Sequence, residues 1–115
     1  MTVDQMAKVI SDAIDDKLGQ DTVIINIGEV SSLCEYFIIT TASSPRQVKA
    51  IADSVEEEMT KLGMEPRGKE GYGSNNWILL DYIDIMVHVF DEENRAFYNL
   101  EKLWKDASYI DIESL

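Results

Sequence analysis

The chain predicts an α/β domain in which helices flank a five-stranded mixed sheet. Three observations carry that expectation: amphipathic stripes at helical spacing, short aliphatic and β-branched runs, and capping residues or glycines between them. They follow one another in the order α β β α β β β α. Residues 1–115 read as a single domain, since the length suits one core and no linker, repeat or low-complexity tract divides it.

The first helix is expected from about Val3 to Leu18, with Val3, Met6, Ala7, Ile10, Ile14 and Leu18 on one stripe. Thr2 and Gln5 have capping-box spacing, and Gly19 suits the stop. Thr22 to Ile27 alternates Val23, Ile25 and Ile27 against Ile24 and Asn26, which suits a strand partly open on one side. Tyr36 to Thr41 is apolar on both parities, as in a strand covered on both faces.

The second helix has Ser44 as N-cap, Pro45 in its first turn and Gln47 completing another capping box. Val48, Ile51, Ala52, Val55, Met59 and Leu62 make its buried stripe, and Gly63 ends it. Glu56, Glu57 and Glu58 read as its solvated face, with Glu57 and Lys61 favourably spaced. Residues 64–70 suggest a short strand and 71–76 a loop. Trp77–Tyr82 and Ile85–Phe90 follow as strands joined by a tight turn at Asp81-Tyr82-Ile83-Asp84. Asp91 caps a last helix whose stripe is Ala96, Phe97, Leu100, Leu103, Trp104 and Ala107.

The hairpin sorts side chains by face. A two- or four-residue loop is expected to set Leu80 opposite Ile85 and Trp77 opposite His88. One face then carries Ile78, Leu80, Ile85, Val87 and Val89, with Tyr82 at its end, and belongs under helices. The other carries Trp77, Leu79, Asp81, Asp84, Met86, His88 and Phe90, the chemistry of a recognition surface more than of a core. Tyr82-Ile83 is poor chemistry for a type I′ turn, and a three-residue loop would slip the pairing while preserving the parity within each strand.

Charge excludes several functions. With 10 Lys and Arg against 22 Asp and Glu, the net charge is −12, and 45% hydrophobic residues place the chain among globular proteins. So few cations cannot supply the counterion release that non-specific nucleic-acid binding needs, so no direct nucleic-acid binding is expected. Long-range attraction is toward basic partners. A single cysteine, Cys34, closes no intrachain disulfide, and no Cys/His set suits zinc. No apolar run approaches bilayer length and the amino terminus is acidic, so a cytoplasmic protein without membrane contact is expected.

Candidate catalytic chemistry is sparse. His88, the one histidine, reads first as a hydrogen-bonded structural residue. A Cys34–His88 thiol enzyme lacks a local nucleophile signature and a third orienting group. Gly71-Tyr72-Gly73-Ser74 resembles a phosphate cradle, but the chain then runs into a strand instead of a helix. Asp81 and Asp84 invite a metal reading, yet the positions two beyond them are Ile83 and Met86, so no strand face carries the alternating carboxylates of a nucleotidyltransferase. Turn aspartates have backbone reasons of their own.

A longer pattern runs through the chain. Glu35-Tyr36-Phe37-Ile38-Ile39, Ser44-Pro45-Arg46-Gln47-Val48, Ile51-Ala52-Asp53, Glu70-Gly71, Trp77-Ile78-Leu79-Leu80-Asp81-Tyr82 and Asp84-Ile85-Met86-Val87-His88-Val89-Phe90 closely resemble the ribosomal silencing factor, or Iojap, family. Arg95-Ala96-Phe97-Tyr98-Asn99-Leu100-Glu101-Lys102-Leu103-Trp104 matches as well, so the resemblance covers nearly the whole chain in order. It departs at Glu35, where the family usually has Asp, and at Ile83, where Gly is common.

The resemblance implies a nucleotidyltransferase-like sheet without the catalytic acidic pair, a binding activity and no cofactor. It further implies docking on the large ribosomal subunit, at its protein numbered fourteen in the universal scheme, which blocks joining of the small subunit when nutrients are scarce. The free protein is expected to be a homodimer. A domain at −12 fits such a site where basic protein interrupts ribosomal RNA. Trp77, Leu79 and Met86 then make the apolar contact and Asp81 and Asp84 meet Arg or Lys, with Tyr82 and His88 in the same patch. On that assignment Asp81→Lys abolishes docking and leaves the fold intact. The alternative from another class is a divergent magnesium-dependent nucleotidyltransferase using Ser74, Asp81 and Asp84.

Overall fold

Two amphipathic helices and a run of strands with alternating burial dictate the architecture, which a computed structural model describes for residues 1–115. Helix α1 spans Val3–Asp16, capped by the Thr2–Gln5 capping box. It stops earlier than expected: Leu18 takes a left-handed conformation (φ 62°) and is 75% exposed, so it leaves the stripe. Gly19 helps close the helix end, its N donating to Ile14 O at 3.0 Å, and it meets a second demand as well. A Cβ there would run into the Ile14 side chain and lie 2.6 Å from Thr40 Oγ1, so the backbone passes where only glycine fits.

Strand β1 (Gln20–Asn26) begins with a bulge between Gln20 and Val23 and ends in a 3₁₀ turn at Ile27–Glu29. Strand β2 (Tyr36–Ala42) is buried from Phe37 onward, as a run apolar on both parities requires. Helix α2 (Pro45–Lys61) starts at Ser44, whose side chain accepts from Gln47 N at 3.2 Å. Gln47 does not close the expected box. Its Oε1 accepts from Ser43 N and Oγ, and its Nε2 donates to the Lys17 and Leu18 carbonyls, fastening the helix start to the end of α1. Lys61 sits 2.7 Å from Glu58 and only 3.9 Å from Glu57, so the nearer partner is three residues away instead of four.

Strands β3 (Gly68–Glu70), β4 (Trp77–Asp81) and β5 (Ile85–Asp91) form an antiparallel meander, and β5 then pairs in parallel with β2. The sheet has six strands in the order β3-β4-β5-β2-β1-β6, one more than expected. The addition is β6 (Tyr109–Ile110), which pairs antiparallel with Ile24 and Ile25 of β1.

The β4–β5 register also differs from the expectation. Trp77 faces Phe90 and Leu79 faces His88, two positions along from the expected pairing. The turn is displaced by one residue along the chain: Tyr82 N donates to Ile85 O and Asp84 N to Tyr82 O, so Ile83 and Asp84 form the loop, with Ile83 at φ 73°. A shift of two preserves parity, so the strand residues keep their expected faces, while Asp84 lies in the turn between the strands.

Helices α1 and α2 cover one face. Ile10, Ile14, Val48, Ile51, Val55 and Met59 pack there on Ile24, Ile38, Ile78, Leu80, Val87 and Val89. The opposite face carries a second, smaller core of Ile25, Ile27, Cys34, Phe37, Ile39 and Phe90 under Leu100 and Ala107. Here the last helix departs from its expected form. It breaks into α3 (Glu92–Tyr98) and α4 (Leu100–Leu103) at Asn99, which is left-handed at φ 47°. The break turns Leu100 and Ala107 onto the sheet and leaves Phe97 78% and Leu103 70% exposed, so those two are no part of a stripe. Arg95 anchors the segment, donating to Asp21 O, Thr41 Oγ1 and Glu101 Oε2.

Candidate functional site

The second face of the sheet is covered unevenly. Its rows run Trp77–Phe90–Thr41, Leu79–His88–Ile39 and Asp81–Met86–Phe37 across β4, β5 and β2. The carboxy-terminal segment lies over the β2 side, where Trp104 meets Phe37 edge-on at 5.7 Å. The β4 side lacks such a cover, so Trp77, Leu79, Asp81 and Met86 are each only partly buried. A strip of sheet face is therefore half open, bounded by α3 at one end and the hairpin turn at the other.

Trp77 is the most firmly placed member of the strip. Its ring stacks on Phe90 at 4.9 Å and meets Tyr98 at 4.6 Å, while its indole N–H donates to His88 Nδ1 at 3.1 Å. His88 is 4% exposed, and burial holds its imidazole pKa down to about 3 from an ordinary 6.5. The ring is thus neutral, with its proton on Nε2. His88 is withdrawn from any visitor and acts by orienting Trp77, which corrects its expected place in the patch.

Tyr82 is corrected in the same way. It is 4% exposed and belongs to the helix-covered core, as its parity with Leu80 requires. Desolvation raises the pKa of its phenol, and the nearby Glu56 and Glu65 add to the effect.

The two aspartates have separate jobs. Asp81 Oδ2 accepts from Arg67 Nη2 at 2.7 Å and Nε at 3.2 Å, while Oδ1 accepts from Ile83 N at 2.8 Å. Its charge is already matched and its side chain holds the turn, so Asp81→Lys disturbs the fold as well as the surface. Asp84 is exposed, and no cationic side chain pairs with it. Nowhere do three or more His, Cys, Asp or Glu side chains gather as a metal ion would require.

Three contributors to this region escaped the sequence reading. Arg67 lies before the short β3, Glu70 is in register with Leu79 and so shares its face, and Tyr98 shields Trp77. The three-residue β3 carries too little pattern to show which way Glu70 points. No helix is long and apolar enough to cross a membrane.

The model of one family, described as ribosomal silencing factor during starvation, matches residues 1–115. The chain belongs to the ribosomal silencing factor family. It is 36% identical over 115 residues to a ribosomal silencing factor of Halalkalibacterium halodurans, covering 100% of this chain and 98% of that one. A Bacillus subtilis ribosomal silencing factor is 34% identical, covering 98% and 96%. The chloroplastic Iojap protein of Zea mays is 38% identical over 80 residues, covering 67% of this chain and 33% of the maize protein. Among solved structures, a crystal structure of a Chromobacterium violaceum protein superposes with a TM-score of 0.89 at 34% identity, covering 91% of this chain and 88% of that one. Membership of the ribosomal silencing factors gives the chain a regulatory place in translation.

Proposed function

We propose that the chain docks on the large ribosomal subunit through the half-open strip and so keeps the small subunit from joining. Trp77, Leu79 and Met86 supply the apolar contact, Asp84 and Glu70 the negative rim, and the large subunit's protein numbered fourteen the basic surface they meet. The observation that carries this reading is the strip itself: aromatic and aliphatic side chains left partly open on a domain of net charge −12, next to carboxylates without a cationic partner. Partly exposed aromatics beside complementary charge are what interface centres are built from. The family description, with its reference to starvation, supports a role in lowering translation when nutrients are scarce. The mechanism is steric and uses no cofactor. The free protein is a homodimer on this proposal, with the exposed Phe97 and Leu103 as candidates for its contact.

Co-sedimentation with purified large subunits tests the docking, and light scattering tests the dimer. Wild-type protein pellets with the large subunit, whereas Asp84→Lys loses binding roughly 30-fold or more, as expected when one partner of a desolvated charge contact is removed. Unchanged pelleting of Asp84→Lys refutes the charge assignment. A monomer at all concentrations refutes the dimer.

A further inference from the structure

A cleft of about 680 Å³ opens between the chain that follows β1 and the hairpin turn, lined among others by Val30, Leu33, Cys34, Glu35, Ile83 and Asp84. Three of its aliphatic side chains stand out in water: Val30 is 46% exposed, Leu33 50% and Ile83 57%. Ile83 does so from φ 73°, a conformation that glycine adopts freely and a β-branched residue resists. Its side chain gains little burial within the monomer, so the fold draws no evident benefit from isoleucine there.

Two carboxylates stand at the cleft. Glu35 and Asp84 are joined through the backbone, Glu35 N donating to Asp84 O at 2.8 Å, and both are exposed with no Lys or Arg in contact. Gly28 leaves room for the Glu35 carboxylate, which lies 2.9 Å from where a Cβ would stand. Burial pushes the Cys34 thiol up to about 11, and the charges of Asp81, Glu35 and Asp84 push the same way. The cleft is thus an aliphatic floor with an anionic rim.

We infer that this cleft receives a lysine or arginine side chain from the same basic ribosomal protein that meets the strip, with Val30, Leu33 and Ile83 along its methylene stem and Glu35 and Asp84 at its charged head. Long cationic side chains lie along apolar surface in this way while keeping the head group at carboxylates. The inference rests on the docking reading above and extends it: Asp84 borders both strip and cleft, so one partner spans them continuously. A second copy of this chain is a poorer occupant, since it brings 22 acidic residues against 10 basic ones toward a negative rim.

Ile83→Gly separates the two demands on that position. Relief of the left-handed strain raises the melting temperature by roughly 4 °C, the shift that about 1 kcal/mol produces in a domain of this size. Large-subunit affinity falls about tenfold, the equivalent of one aliphatic side chain no longer buried. Leu33→Ser weakens binding similarly with the melting temperature nearly unchanged. A more stable Ile83→Gly that pellets like wild type, together with an unaffected Leu33→Ser, overturns the inference. So does a change in oligomeric state with pelleting unaltered, which would assign the cleft to a second copy. Leu79→Lys in the strip distinguishes the two readings. If it abolishes pelleting and the cleft variants do not, only the cleft fails; if wild-type protein never pellets, both fail.

Discussion

The indole N–H of Trp77 donates to Nδ1 of His88 across the β4–β5 pair at 3.1 Å, so a buried neutral histidine sets the orientation of the partly open tryptophan. Geometry ties the one histidine to the surface without exposing it.

The burial of His88 gives stability a pH dependence with a definite sign. His88 titrates at about 3 in the fold and near 6.5 when unfolded, so the unfolded chain takes up the extra proton between those values. Its contribution is complete above pH 6.5 and is lost as pH falls through the window. Between pH 7 and pH 5, wild type should lose about 2 kcal/mol more than His88→Asn, at about 1.4 kcal/mol per pH unit. Urea unfolding at the two pH values measures this, and equal losses in both proteins refute the assignment.

Asp81 is a structural residue before it is a surface one. Asp81→Ala removes both the Arg67 pair and the acceptor for Ile83 N, costing about 1–2 kcal/mol, whereas Asp81→Asn keeps an acceptor for the turn and costs less than about 1 kcal/mol. Thermal unfolding of the two variants should show that ordering. Equal effects would mean that the turn does not need the acceptor.

The carboxy-terminal break depends on one left-handed residue. Asn99→Ala should destabilise by about 1–2 kcal/mol, because alanine lacks the polar side chain that lets asparagine tolerate φ 47° and because the cap to Lys102 N is lost. Asn99→Gly should recover most of that loss. If alanine is tolerated fully, the sequence has straightened into the continuous helix that its spacing favours.

Gly19 makes a packing prediction. Gly19→Ala presses a methyl against Ile14 and Thr40 at the junction of α1 and β1, costing about 1–3 kcal/mol. Chemical denaturation reads the loss directly, and a neutral result would show that Thr40 can move aside from its bond with Thr22.

Local pattern was legible where it was long. Helices α1 and α2 were visible from their stripes and N-caps, and the two-sided burial of β2 from its unbroken apolar run. The two faces of the β4–β5 hairpin were legible from parity alone, even though the turn at Ile83 moved the pairing by two. What escaped depends on long-range placement. A two-residue strand at Tyr109–Ile110 carries no period to detect. The spacing of Ala96, Phe97, Leu100, Leu103, Trp104 and Ala107 cannot reveal that Asn99 turns left-handed and sends Phe97 and Leu103 outward.

The site shows the same division. Face membership placed Trp77, Leu79, Asp81 and Met86 together, and the fold keeps them together. The rings of Phe37, Trp77 and Phe90 around His88 take it out of the exposed set, while Tyr82 lay on the helix side from the start. Arg67 pairs with Asp81 from the residue just before β3, a strand too short for pattern to orient its approach.

The most direct test of the central claim is a sucrose-gradient association experiment with purified large and small subunits, run with wild-type protein and with Leu79→Lys at matched melting temperature. Wild-type protein should leave the subunits sedimenting apart, and Leu79→Lys should let them join. Normal joining in the presence of saturating wild-type protein would contradict the account.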